Sequence, residues 1–263
     1  MTTPNSPDLW LSAFPRPTRD AHKYTRGHLA VLGAPALTGA TRLAAAAASR
    51  IGAGLVSVLS HDQVDVFRAS LPPDIMVSSG PATDLKRVTA CLLGPGGYEA
   101  SRIEEVKGLG ASVPRILDAN ALKLWDQIAG PAVLTPHEGE FSRVFPQITG
   151  HRTSRAVEAA ELTGAVVILK GPDTVIASPG GSLVVNTHAS PWLAKAGTGD
   201  VLAGMVAGLV AQGMEAFDAA CAGVWFHGDA AQRIGPGLIA GDLVDVIPDI
   251  LGDLIGIAGV SLS

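Results

Sequence analysis

A series of short, continuously apolar runs, each closed by a glycine or a small polar group, constrains this chain more than any other feature. Residues 28–33 end on Gly33, 90–93 lead into Gly94–Pro95–Gly96–Gly97, 115–117 into Asp118, 132–134 into Thr135–Pro136–His137, and 166–169 into Lys170–Gly171–Pro172. A further run, 55–59, follows Gly52 and Gly54. Runs this short read as strands, and being apolar at successive positions they need cover on both faces. Helix-forming stretches lie at 41–50, which is rich in alanine, at 152–162 and at 201–212. Such alternation predicts an α/β fold, a mostly parallel central sheet with helices on both faces. Ligands on such sheets collect at the carboxyl ends of the strands, where the polar closures fall. Residues 174–177 and 183–185, joined through Pro179–Gly180–Gly181, read as a hairpin at one edge.

The 263 residues are read as one domain, with residues 1–20 a polar, proline-rich and loosely ordered extension. Hydrophobic residues at 47% and charged ones at 16% supply a large core and little material for disorder. A net charge of −5 argues against a nucleic-acid or anionic-membrane partner, so any bound phosphate has to be held locally. The N-terminus lacks a basic start followed by an apolar stretch, and the most apolar stretch, 201–210, is too short to span a bilayer. Cys91 and Cys221 lie in apolar runs, as reduced core thiols do. The expectation is a cytoplasmic protein.

The most specific motif is Lys195–Ala196–Gly197–Thr198–Gly199–Asp200, followed at once by an apolar, small-residue helix. Glycines before a helix turn backbone N–H groups toward a bound anion, and the helix N-terminus adds partial positive charge. Asp200 is placed either to cap this helix or to accept a proton from a hydroxyl attacking a phosphate. Lys170–Gly171–Pro172–Asp173–Thr174 offers a point charge and a close backbone approach, or an ordinary surface turn. His137 precedes Glu138 and Glu140, and Glu140 is also suited to cap a helix beginning near Gly139. Asp118 is placed to help orient a magnesium-bound phosphate through water, while a helix cap would explain both Asp118 and Asn120 without any ligand. Thr38–Gly39–Ala40 opens the first helix.

Taken in order, Leu134–Thr135–Pro136–His137–Glu138–Gly139–Glu140–Phe141, Leu169–Lys170–Gly171–Pro172–Asp173–Thr174 and Gly197–Thr198–Gly199–Asp200–Val201–Leu202–Ala203–Gly204 resemble the ADP- or ATP-dependent NAD(P)H-hydrate dehydratases. These enzymes lie within the ribokinase-like superfamily, and the likeness runs from about Gly27 to about Asp229. It implies a ribokinase-like three-layer fold and a repair lyase. Hydrated NADH or NADPH is phosphorylated on its ring hydroxyl by ADP or ATP with magnesium, and loss of phosphate restores the dihydronicotinamide. ADP is the donor expected of bacterial members, leaving AMP and phosphate.

By the same resemblance Asp200 is the catalytic base and contacts substrate, together with Ala40, Gly97 and His137. The nucleotide contacts are Lys170, Gly171, Pro172, Asp173, Thr174, Gly197, Thr198 and Gly199, and the magnesium ligands stay unassigned. In the turn after residue 93 the family more usually carries a larger residue before its glycine, and where Asn120 stands it usually carries aspartate. Residues 187–193, with Trp192 expected to shape the adenine or substrate side, replace a segment rich in asparagine, proline and glycine. The resemblance also implies a homo-oligomer, expected as a tetramer. Members often carry a second, epimerising domain; because this chain starts too close to the dehydratase-like part for it, the expectation is a separate epimerase acting on the same substrate pool. An ordinary small-molecule kinase for a thiazole or pyrimidine alcohol is the nearest alternative. A non-catalytic nucleotide sensor is the alternative of another class.

Overall fold

The computed structural model describes residues 2–98 and 102–256. Its strands are β1 (Thr3–Pro4), β2 (His28–Leu32), β3 (Leu55–Leu59), β4 (Met76–Ser78), β5 (Ala90–Leu93), β6 (Arg115–Leu117), β7 (Pro131–Leu134), β8 (Val166–Leu169), β9 (Thr174–Ala177) and β10 (Leu183–Asn186). They form one 10-stranded sheet in the order β1-β10-β9-β8-β7-β6-β5-β2-β3-β4. The block from β4 to β8 is parallel throughout, and β9 runs antiparallel to both β8 and β10, with β9 and β10 forming the expected hairpin. The chain leaves β2 toward β3 on one side and returns through β5 on the other. The carboxyl ends of β2 and β5 therefore flank a topological switch point, the usual crevice for a ligand on this kind of sheet.

The helices are α1 (Thr38–Arg50), α2 (Val64–Ser70), α3 (Ile103–Gly108), α4 (Glu138–Val144), α5 (Arg152–Thr163), α6 (Thr198–Ala211), α7 (Ala216–Ile234), α8 (Ala240–Asp245) and α9 (Ile247–Ile255). Because side chains alternate along a strand, Leu29 and Val31 of β2 face Ala44, Met205 and Phe226 of α1, α6 and α7, while Ala30 and Leu32 join the opposite core with Phe141 and Ala160 of α4 and α5. Two cores on two faces make the three layers. The α1–α6 seam depends on missing side chains: a Cβ on Gly204 would run into the backbone of Ala44, and one on Gly208 would lie 2.6 Å from Ile51 Cγ2. No described helix is long and apolar enough to cross a membrane. Cys91 and Cys221 are free and buried, with burial pushing both thiols up to about 12.

Two expectations need correction. Residues 3–14 are docked rather than loose, because the segment carries its own apolar anchors: Trp10 is fully buried against Phe14, Trp225 and Phe226. Its β1 pairs in parallel with β10, so the β9–β10 hairpin lies one strand in from the edge. Helix α1 starts at Thr38, as the Thr38–Gly39–Ala40 opening implies, and carries the alanine-rich run 41–50.

Candidate active site

Three adjacent strands and one helix bring the polar closures together. Asp118 follows β6, Thr135 follows β7 and Lys170 follows β8, so parallel register puts all three together at the carboxyl ends of adjacent strands. The Asp118 carboxylate, 3% exposed, accepts hydrogen bonds from Thr135 Oγ1 at 2.6 Å and Lys170 Nζ at 3.0 Å. It makes no capping bond to the 3-10 helix that follows it, so the plain helix-cap reading fails. Asn120 is exposed. Lys170 Nζ also lies 3.9 Å from Glu140 Oε2. Burial disfavours the lysine charge, but Asp118, Glu140 and Asp200 outweigh it and hold the ammonium above its ordinary pKa.

Asp200 lies in the first turn of α6, which begins at a left-handed Gly197 with φ 92°. The helix shows no side-chain cap bond, so Asp200 is not its N-cap. Burial first, then the neighbouring Asp118 charge, pushes its carboxyl up to about 6, against the opposing pull of Lys170. Gly197 is wedged between α1 and α8, where a Cβ would come 2.9 Å from both Leu43 and Ala240. Gly199 faces Lys170, whose Nζ would be 3.3 Å from an added Cβ. The first-turn amides of Gly199 and Asp200 have no place in the helix ladder and remain available to an anion. The buried Thr198 hydroxyl is directed to the carbonyls of Leu193 at 2.8 Å and Lys195 at 2.9 Å, closing the turn. Its own carbonyl accepts from His227 Nε2 at 2.8 Å, and burial lowers that imidazole to about 4, so it is neutral.

In the loop after β8, the Thr174 hydroxyl donates to the Gly171 carbonyl at 3.1 Å, which makes it a turn-former. Gly171 lies flat against the Arg152 guanidinium, which donates to the carbonyls of Leu169 and Asp173 at 3.0 and 3.2 Å and pairs with Glu138 at 2.7 Å. Sequence reasoning did not find Arg152, which lies in another element. His137 is the N-cap of α4: Nδ1 accepts from the amides of Gly139 and Glu140, and Glu140 returns a bond to the His137 amide at 2.9 Å. The capping role expected of Glu140 is thus present, and the imidazole shares it.

A cavity of about 670 Å³ opens beside this cluster. His137 and Lys170, Gly171, Pro172 and Thr174 line one side, Thr198 and Gly199 another, and residues 189–191 and 193–195 with α7 a third. Trp192, expected to shape this side, is 48% exposed and outside the lining, which takes Pro191 and Leu193 in its place. Asp173, Gly197 and Asp200 adjoin the cavity elements without lining it. Ala40 and Gly97 belong instead to the switch point between β2 and β5. There Ala40 packs on Gly96, and the buried Thr41 hydroxyl accepts from the Ala34 amide and donates to the Pro95 carbonyl at 2.9 Å. The Gly97 N–H is occupied within the turn, donating to the Gly94 carbonyl at 2.7 Å. Its φ of 124° suits glycine alone, and a Cβ there would meet open space. Among the described residues no three His, Cys, Asp or Glu side chains form a metal cage.

The family model described as NAD(P)H-hydrate dehydratase matches residues 29–249, a span that holds every element of this site. The chain belongs to that family. An NAD(P)H-hydrate dehydratase of Neisseria meningitidis, named as ADP-dependent and (S)-specific, is 34% identical over 85% of this chain and 84% of its own length. A bifunctional NAD(P)H-hydrate repair enzyme of Moorella thermoacetica is 37% identical over 92% of this chain and 52% of its own. Among the curated relatives of this bifunctional kind, the chain spans about half the length. The crystal structure of the ADP/ATP-dependent NAD(P)H-hydrate dehydratase of Bacillus subtilis, co-crystallised with ATP and magnesium, superposes with a TM-score of 0.83 at 28% identity, covering 96% of this chain and 99% of that one. The dehydratase family thus shares here the ribokinase-like fold expected from the motifs.

Proposed function

We propose that this chain is an ADP-dependent (S)-NAD(P)H-hydrate dehydratase that returns hydrated NADH and NADPH to their active forms. The observation that carries the reading is the convergence of Asp200, Lys170, Asp118 and Glu140 beside a large cavity at the start of α6. A carboxyl near 6 is ionised at neutral pH yet basic enough to take a proton, which is what a general base for hydroxyl attack requires. Asp200 accepts the proton of the ring hydroxyl as its oxygen bonds to the terminal phosphorus of the nucleotide, releasing AMP when ADP is the donor. The phosphate then leaves from ring carbon, a proton is lost from the adjacent carbon, and the double bond returns.

The cavity, with Lys170, Gly171, Pro172, Thr174 and the Gly199 amide on its walls, is the proposed nucleotide side. Asp173 and Gly197 support it from behind. The switch point with Ala40 and Gly97 is the proposed substrate side, and His137 stands at the cavity wall as a binding group. Three carboxylates around one lysine leave a negative surplus that suits a divalent cation. Magnesium keeps several waters and needs only one or two carboxylates plus phosphates, so Asp118 and Asp200 would suffice to hold it. When bound, it would neutralise charge on the phosphates. A homo-oligomer in the cytoplasm, sharing its substrate pool with an NAD(P)H-hydrate epimerase activity, completes the proposal.

The test is the near-ultraviolet dihydronicotinamide absorbance of purified protein given hydrated NADH, magnesium and either ADP or ATP. Growth of that band with ADP supports the reading and with ATP alone changes the donor. Nucleotide turnover without it moves a small-molecule kinase on this fold to first place. Nucleotide binding without either reaction would favour a sensor.

A further inference from the structure

We infer that Lys195, rather than Lys170, is the cation that this chain offers to the phosphates of the nucleotide. The inference rests on the reading of the cavity as an adenine-nucleotide site. An incoming diphosphate carries two to three negative charges and needs cations that are free to meet it. Among the side chains lining the cavity, four are basic: His137, Lys170, Lys195 and His227. Buried His227 is neutral and gives its Nε2–H to the Thr198 carbonyl. The Nδ1 of His137 is occupied as an acceptor by the α4 amides, which fixes the ring in a capping role. Lys170 is committed to Asp118 at 3.0 Å and faces Glu140 at 3.9 Å, within a group that also includes Asp200. One positive charge among three carboxylates leaves that end of the cavity negative, and Lys170 alone offers a phosphate little net attraction.

Lys195 is different on each count. Its residue is exposed and lines the same cavity, and among the described residues no carboxylate pairs with its ammonium. Its backbone is pinned on both sides, the N–H to the Leu193 carbonyl at 2.7 Å and the carbonyl to the Thr198 hydroxyl at 2.9 Å. The stem therefore springs from a fixed point two residues before Gly197, on the wall that turns into α6. A flexible four-carbon side chain with a compact charge can follow a mobile phosphate without a rigid fork. The expected division of labour is that Lys170 organises the carboxylates, while Lys195 meets the diphosphate.

Calorimetric binding of ADP and of adenosine to the full chain separates the possibilities, because the residue is exposed and its replacement leaves the fold alone. Lys195→Ala is expected to weaken ADP by roughly tenfold or more, the scale of one charge-assisted bond, and to leave adenosine unchanged. Lys195→Arg is expected to restore most of the loss, and added salt to weaken ADP binding more steeply in the wild type than in Lys195→Ala. ADP binding by Lys195→Ala within twofold of wild type overturns the inference and leaves the nucleotide site standing. An equal loss for adenosine also overturns it, since that would mark an altered wall and not a missing charge. Wild-type protein that binds no ADP removes both the inference and the reading beneath it.

Discussion

Asp200 is held partly out of water beside other carboxylates, so it binds its proton more tightly in the folded chain than in the unfolded one. Such a group favours folding below the unfolded value of 3.8, and that contribution is lost as the pH rises through about 6. At neutral pH the ionised side chain therefore opposes folding, by on the order of 1–2 kcal/mol once its contact with solvent is allowed for. Asp200→Asn is expected to raise Tm near pH 7.5 but not near pH 4, while turnover is nearly abolished and ADP affinity stays within a few-fold. Thermal unfolding at the two pH values, with binding and rate measurements, checks this. A variant that turns over within a few-fold of wild type would end the base assignment. For wild type, kcat/KM should fall about tenfold per pH unit below about 6 and level off above it. A profile flat from about pH 5 to 7 would count against an Asp200 base.

At the scale of elements, α6 shows how sequence patterns become constraints. Gly204 and Gly208 let α1 approach until its backbone touches that of α6, so a methyl group has nowhere to go. Gly204→Ala is expected to lower stability by about 2 kcal/mol or more, overpacking outweighing the better helix propensity. Gly252→Ala in α9, where a Cβ meets nothing within 4 Å, should instead stabilise by about 0.5–1 kcal/mol. Denaturant titration of the pair decides it: equal effects would refute the seam. The buried strands were legible because short, mostly apolar runs of three to five residues leave little choice of structure, and β3, β5, β6, β8 and β9 keep their expected bounds. Helix α7 was not, since its Val224–Phe226 run reads only as core until the alanines on either side are seen as one helix. In the site, the three motifs announced Asp200, Lys170 and His137. The bond between Lys170 and Asp118 spans 52 residues, and Thr41, Arg152 and His227 act from elements whose local sequence carries no sign of it.

Over the whole molecule, the N-terminal segment ties sheet, helix and cavity together. Asn5 donates to Asn186 at 2.9 Å and to the Cys221 carbonyl at 2.8 Å, Asn186 donates to the His188 carbonyl, and Trp10 packs on Trp225, which stacks on His188. Both chains of contact reach the residue that precedes the stretch in which residues 189–191 and 193–195 line the cavity. Removal of residues 2–14 is therefore expected to lower Tm by several degrees and to weaken ADP binding, and a truncated chain matching wild type in both would disprove the coupling. Strand β1 has one more consequence. At the two margins of the sheet stand β1, two residues long, and β4, three residues long, and the second residue of β1 is Pro4, which has no N–H to offer outward. A long sheet with such short, chemically blunted margins gives another molecule almost nothing to extend, which guards a strand-rich, weakly charged protein against edge-to-edge polymerisation as it accumulates.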